Sequence, residues 1–147
     1  MTLKHAETTK AIIGLFYQVY QTLGYGFLED VYRKAMALAG RKLGLNADLK
    51  ARIRIHFDGT VIGRYYPDLV VNDAVIVELK ACKTLAPEHE AQLLNYLKAS
   101  SFEVGLLLNF GPKAEFRRLV YDNDKKGNLS WIQRTRKITD PTNQDPC

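Results

Sequence analysis

The order of periodicities in this 147-residue chain predicts a small α/β domain, a mixed β-sheet flanked by helices. Three observations carry the expectation. Two helix-period segments open the chain, and strand-period segments joined by tight-turn signals fill its middle. A proline-initiated helix then leads to two further strands.

The first helix follows from Ile12, Ile13, Phe16, Val19 and Leu23, which recur at three- and four-residue steps, and Gly24-Tyr25-Gly26 ends it. Leu28, Val31, Tyr32, Ala35, Leu38 and Ala39 give the apolar face of a second helix, closed by Gly44. The period then changes. Leu49 to Phe57 alternates, with Ala51, Ile53, Ile55 and Phe57 on one face and Arg52, Arg54 and His56 on the other. Asp58-Gly59 signals a hairpin turn, and Val61 to Val71 reads as one return strand interrupted by Pro67. Asn72-Asp73 marks the next turn, before a third strand from Ala74 to Lys80. Pro87, with Glu88 and Glu90 in the favourable first turn, opens a helix running to about Ser100. Val104 to Leu108 is apolar throughout, as in a strand buried on both faces, and the helical crossover predicts that it lies parallel to another strand. Phe116 to Tyr121 reads as a last strand. Residues 1–139 are expected to form a single domain in which Trp131 and Ile132 dock, followed by a flexible tail over 140–147.

Apolar residues make up 46% of the chain and charged residues 25%, which excludes a disordered or collagen-like polymer. The formal charge of +5 points toward a polyanionic partner. No apolar run approaches the roughly 18 residues of a membrane span, so no membrane partner is expected. The polar stretch from Met1 to Lys10 lacks the apolar core of a signal peptide. Two isolated cysteines, Cys82 and Cys147, form neither a disulfide framework nor a zinc motif, and fit a reducing, cytoplasmic setting.

The chemistry concentrates on the strands. Strand parity puts Glu78 and Lys80 on one face and Val77 and Leu79 on the other. Asp68 follows Pro67 just before Leu69-Val70-Val71. A lone Glu-x-Lys tripeptide reads most simply as a surface pair on an edge strand. Carboxylates entering the end of a buried strand, however, are unfavourable unless something compensates them, and a divalent cation does. A three-residue loop, Asn72-Asp73-Ala74, would pair Val71 with Val75 and bring Asp68 beside Glu78. A two-residue turn would send them to opposite faces, so the three-residue register, or a bulge of equal effect, is expected if both carboxylates serve one site. Glu29, in the first turn of the second helix, reads by itself as a helix-dipole residue that can pair with Arg33. Gln92 and Tyr96 share a helix face, with His89 one turn before.

Pro67-Asp68 followed by Glu78-Leu79-Lys80 resembles the PD-(D/E)XK nuclease superfamily. Gly26-x-x-Glu29-x-x-Tyr32 resembles the motif of the small GxxExxY proteins placed in it. Gln92-x-x-x-Tyr96 is similar to the helix motif of the RecB-type and Cas4-type exonuclease branch. The similarity runs from about Ile13 to Val120. It implies a restriction-endonuclease-like αβββαβ core and a Mg²⁺- or Mn²⁺-dependent DNA nuclease. It further implies Glu29, Asp68 and Glu78 as acidic metal-site residues, with the Leu79 carbonyl as a further ligand. Lys80 is then the catalytic lysine, and Gln92 and Tyr96 position the nucleic acid or the active-site water. Arg33, Arg52, Arg54, Arg64 and Tyr66 are candidate DNA contacts, and Tyr25 and Tyr65 candidate stacking groups. A non-catalytic domain that binds DNA or a protein is the alternative. The small size points to a homodimer or a larger complex.

Overall fold

The computed structural model describes residues 3–127. The expectations for Trp131, Ile132 and the tail over 140–147 lie outside the described residues. Two helices, α1 (Ala6–Leu23) and α2 (Glu29–Lys42), precede β1 (Ala47–Asp48), β2 (Ile53–Phe57), β3 (Thr60–Tyr65), β4 (Leu69–Val71) and β5 (Val75–Lys80). Then come α3 (Pro87–Lys98), β6 (Val104–Phe110) and β7 (Ala114–Val120). Five strands form one sheet in the order β1-β4-β5-β6-β7, while β2 and β3 pair in a hairpin of their own. Among the described residues only β5 and β6 pair in parallel, as the α3 crossover requires.

The sheet is covered on both faces, and alternation assigns each strand residue to one of them. Val75, Val77 and Leu79 pack with Ile12, Phe16, Val19, Tyr32 and Met36 of α1 and α2. Val70, Ile76 and Leu107 pack with Leu93, Tyr96 and Leu97 of α3. Glu78 and Lys80 share the parity of Ile76, so they belong to the α3 face. Asp68 shares the parity of Val70 and belongs to the same face.

Two expectations are corrected. Val61 to Val71 is not one strand, because its halves serve different sheets: β3 pairs with β2, and β4 pairs with β5 and β1. Pro67 has no N–H to give a ladder, so the chain changes partner there. The alternation of β2 holds through Ile53 and Ile55 but not to Phe57, which is 70% exposed. A register shift between Ile55 and His56, opposite Ile62, turns the end of the hairpin out to solvent. Arg54, which alternation puts on the outer face, is buried and faces Arg64 across the hairpin.

Candidate active site

The turn after β4 sets the register on which the site depends. Asn72 and Asp73 adopt left-handed backbone, φ 54° and 51°, which these residue types tolerate. Val71 pairs with Val75 and Leu69 with Val77, the register of a three-residue loop. Because β4 begins only at Leu69, Asp68 lies just past the end of the ladder, beside Glu78. Its own N–H donates to Glu78 Oε2 at 3.0 Å, and the Leu79 N–H donates to Asp68 Oδ2 at 2.8 Å. Where the ladder stops, carboxylates thus take the place of backbone acceptors. One oxygen of each acid is used this way, and the two groups are held together.

Glu78 is 5% exposed. Burial, and then the Asp68 carboxylate at hydrogen-bonding distance, pushes its carboxyl up to about 9. With one of two neighbouring acids buried, a second negative charge beside the first is unfavourable without a compensating cation. A hard divalent ion, which takes carboxylate and carbonyl oxygens, suits this donor set.

On the same face a chain of polar contacts leads away from the acids. Lys80 Nζ donates to Gln92 Oε1 at 3.1 Å, and Gln92 Nε2 donates to the Tyr96 hydroxyl at 3.2 Å. The Tyr96 ring lies 4.5 Å from that of Tyr65, centroid to centroid. Burial, followed by the nearby Glu78 and Asp68, pushes the Tyr96 phenol up to about 12, so it stays protonated. Residues from β3, β5 and α3 therefore fix one lysine. His89 is not in this chain: its Nδ1 accepts the Ala86 N–H at 3.0 Å and caps α3.

Glu29 stands on another wall. It is exposed in the first turn of α2 and lines, with Asp68, a cleft of about 520 Å³ that also takes in Lys50, Arg52 and Tyr66. Among the described residues no group of three or more His, Cys, Asp or Glu side chains is placed to hold a metal ion. Of the three acids expected to cluster, Glu78 is buried and accepts the N–H of half-buried Asp68, while exposed Glu29 lines the cleft that Asp68 also lines. Arg33 is a strut. It donates to the backbone carbonyl of Asp68 at 2.9 Å, to that of Leu49, and to Asp30 Oδ1 at 3.1 Å. Its donors fix α2 to the site's floor.

Sequence reasoning passed over Lys50, on the cleft wall, and Asn109 and Gly111, which hold the segment after Lys80. Asn109 is fully buried and pairs with both backbone groups of Cys82, accepting its N–H at 3.0 Å and donating to its carbonyl at 2.9 Å. A β-carbon at Gly111 would lie 2.1 Å from the Cys82 carbonyl oxygen. A polar residue in an otherwise apolar strand, followed by glycine, was the available signal.

A sequence profile of the PD-(D/E)XK nuclease superfamily matches residues 6–119, from α1 through most of β7. No curated protein gives a match to the chain. Among solved structures, SSO0001 is similar at a TM-score of 0.52 and 19% identity, over 80% of this chain and 60% of that one. LHK-Exo, an alkaline exonuclease from Laribacter hongkongensis, is similar at 0.48 and 12% identity, over 94% of this chain and 80% of that one. The chain spans 60% of the length of SSO0001, and that likeness is one of fold. With Asp68, Glu78 and Lys80 on one face of the sheet and the profile running through every element that places them, the chain belongs to the PD-(D/E)XK nuclease superfamily.

Proposed function

We propose that the protein is a Mg²⁺- or Mn²⁺-dependent phosphodiesterase acting on DNA, of the small GxxExxY type. The observation that carries the reading is the Asp68–Glu78 pair at the end of the ladder, with Lys80 fixed on the same sheet face. Asp68, Glu78 and the Leu79 carbonyl would hold the ion, and Glu29, on the wall of the cleft that Asp68 also lines, would add negative charge beside it. When bound, the ion supplies positive charge at a phosphoryl oxygen and lowers the pKa of a bound water. Lys80 Nζ, anchored by Gln92, stands ready to donate to the attacking water or to the charge that develops on the phosphate. Tyr96, kept protonated, holds Gln92 and thereby the direction of Lys80. Lys50 and Arg52 on the cleft wall are suited to neighbouring phosphates. Arg33 serves by fixing α2, and buried Arg54 by its place in the hairpin, rather than as free phosphate contacts.

Single-turnover cutting of labelled single-stranded, duplex and flapped DNA in Mn²⁺, beside binding in Ca²⁺ at fixed salt, tests this reading. Native protein should cut, and EDTA should abolish cutting. Lys80→Ala should keep most DNA affinity, which comes from many phosphate contacts. Its cleavage should fall by on the order of a hundredfold. Native protein that binds DNA and cuts none would favour a non-catalytic binding domain. Undiminished cutting by Lys80→Ala would remove the lysine from the site.

A further inference from the structure

The corner between α1 and α2 exposes apolar surface at the edge of the cleft. Tyr25, Phe27 and Leu28 are 61%, 46% and 78% exposed, and the chain runs from them directly into Glu29 on the cleft wall. Tyr66, 45% exposed, lines the same cleft. The corner is rigidly held. Gly24 and Gly26 take φ values of 67° and 115°, which other residues rarely adopt. The hydroxyl of buried Tyr32 donates to the Gly24 carbonyl at 2.7 Å and accepts the Phe27 N–H at 3.2 Å. The Tyr32 ring in turn stacks on Phe110 at 4.1 Å. The glycine and the tyrosine of Gly26-x-x-Glu29-x-x-Tyr32 therefore do one structural job: they set the backbone of the corner that carries Tyr25, Phe27 and Leu28, just before Glu29.

Exposed apolar side chains gathered on one anchored backbone corner mark a binding surface. Its neighbours narrow the partner's chemistry. Lys50 and Arg52 on the cleft wall attract phosphates, and exposed rings offer faces to flat apolar groups. Phosphates and exposed aromatic faces occur together in a nucleic-acid strand whose bases are unpaired. In a duplex those faces are already covered by the base stack. We propose that Tyr25, Phe27 and Leu28 form a platform on which unpaired bases stack as the strand's phosphates enter the cleft, so that the substrate class is single-stranded or end-unpaired nucleic acid. The inference rests on the nuclease reading above and adds the form of the substrate to it.

The test is binding in Ca²⁺ at fixed salt of three labelled DNAs: a single strand, an abasic strand of equal length, and a blunt duplex. Native protein should bind the base-containing strand about tenfold more tightly than the abasic one, the scale of one ring–base stack. Tyr25→Ala/Phe27→Ala should bind both strands alike, at the native protein's abasic affinity. Tyr25→Ala, which leaves the Phe27–Tyr32 contact in place, should lose part of the preference. Leu38→Ala, exposed further along α2, should lose none. Equal native affinity for base-containing and abasic strands, a preference for blunt duplex, or a base preference that survives in the double variant would overturn the platform. In each of those cases Mn²⁺-dependent cutting can stand, and the nuclease reading with it. Native protein that neither binds nor cuts any DNA would remove both.

Discussion

At the scale of single residues, Glu78 is where function and stability pull apart. Its carboxyl, raised to about 9 by burial and by Asp68, is protonated in the folded chain at pH values where the unfolded chain ionises it. Folding in metal-free buffer therefore takes up a proton between the ordinary carboxylate range and about pH 9. The stability this group contributes is full below that range and is lost as pH rises through it. Glu78→Gln keeps the side-chain volume and an oxygen for the Asp68 N–H, but has no proton to exchange. Urea midpoints in EDTA at pH 5 and pH 9 should thus fall less with rising pH in Glu78→Gln than in native protein. Parallel curves would show that Glu78 ionises freely in the folded state. The variant should also lose cutting, because an amide does not replace the charge of a carboxylate ligand. Strand parity put Glu78 and Lys80 on one face, but the resemblance made them a site, and the register that brings Asp68 beside Glu78 followed from asking both carboxylates to share that site rather than from the turn residues. The position of Glu29 on the cleft wall and the strut made by Arg33 were not legible. Both depend on how α2 packs against the end of the sheet, which local periodicity does not carry.

The elements show why the site has a firm floor. β5 and β6 run in register out to Lys80 opposite Asn109, and the chain then turns away from the sheet. Asn109 clamps that turn through both backbone groups of Cys82, and Gly111 lets the next strand connection pass against the Cys82 carbonyl. Tyr20 secures the same connection from α1, donating its hydroxyl to the Gly111 carbonyl at 2.7 Å. Asn109→Ala leaves an N–H and a carbonyl without their partners, at about 1–3 kcal/mol for such groups. Gly111→Ala drives a methyl into a backbone oxygen that has no flexible end to yield. Both variants should lower the urea midpoint, and Gly111→Ala should also slow cutting by shifting the segment next to Lys80. A native midpoint for Gly111→Ala would mean that the connection is mobile. Helices, the α3 crossover and the parallel β5–β6 pair were legible because their apolar spacing is regular. The division of Val61 to Val71 between two sheets was not, since Pro67 signals a break without saying which strand follows it. Nor was the bulge that exposes Phe57, because a register shift leaves the sequence alternation unchanged.

For the whole molecule, ion pairs and a buried lysine tie the ends of the described chain together, away from the site. Lys4 Nζ lies 3.0 Å from Glu103 and 2.8 Å from Asp122, and Lys126 Nζ donates to the carbonyls of Ser100 and Phe102. These contacts close the sheet at the end opposite Lys80, leaving the carboxylate end as the open one. No helix among the described residues is long and apolar enough to cross a membrane. The net charge of +5 adds a general attraction for a polyanion. A ligand that binds only the folded chain raises its stability by mass action, so metal occupancy at Asp68 and Glu78 should be readable in the melting of the entire domain. The most direct measurement is a Mn²⁺ titration followed in parallel as melting temperature and as single-turnover DNA cutting, in native protein and in Asp68→Ala. Native protein should gain melting temperature and cutting over the same range of Mn²⁺, while Asp68→Ala should show a smaller rise and cut at least a hundredfold more slowly, the order expected for losing a positioned electrostatic group. Equal melting shifts in the two proteins, with cutting intact in Asp68→Ala, would place the ion and the chemistry elsewhere.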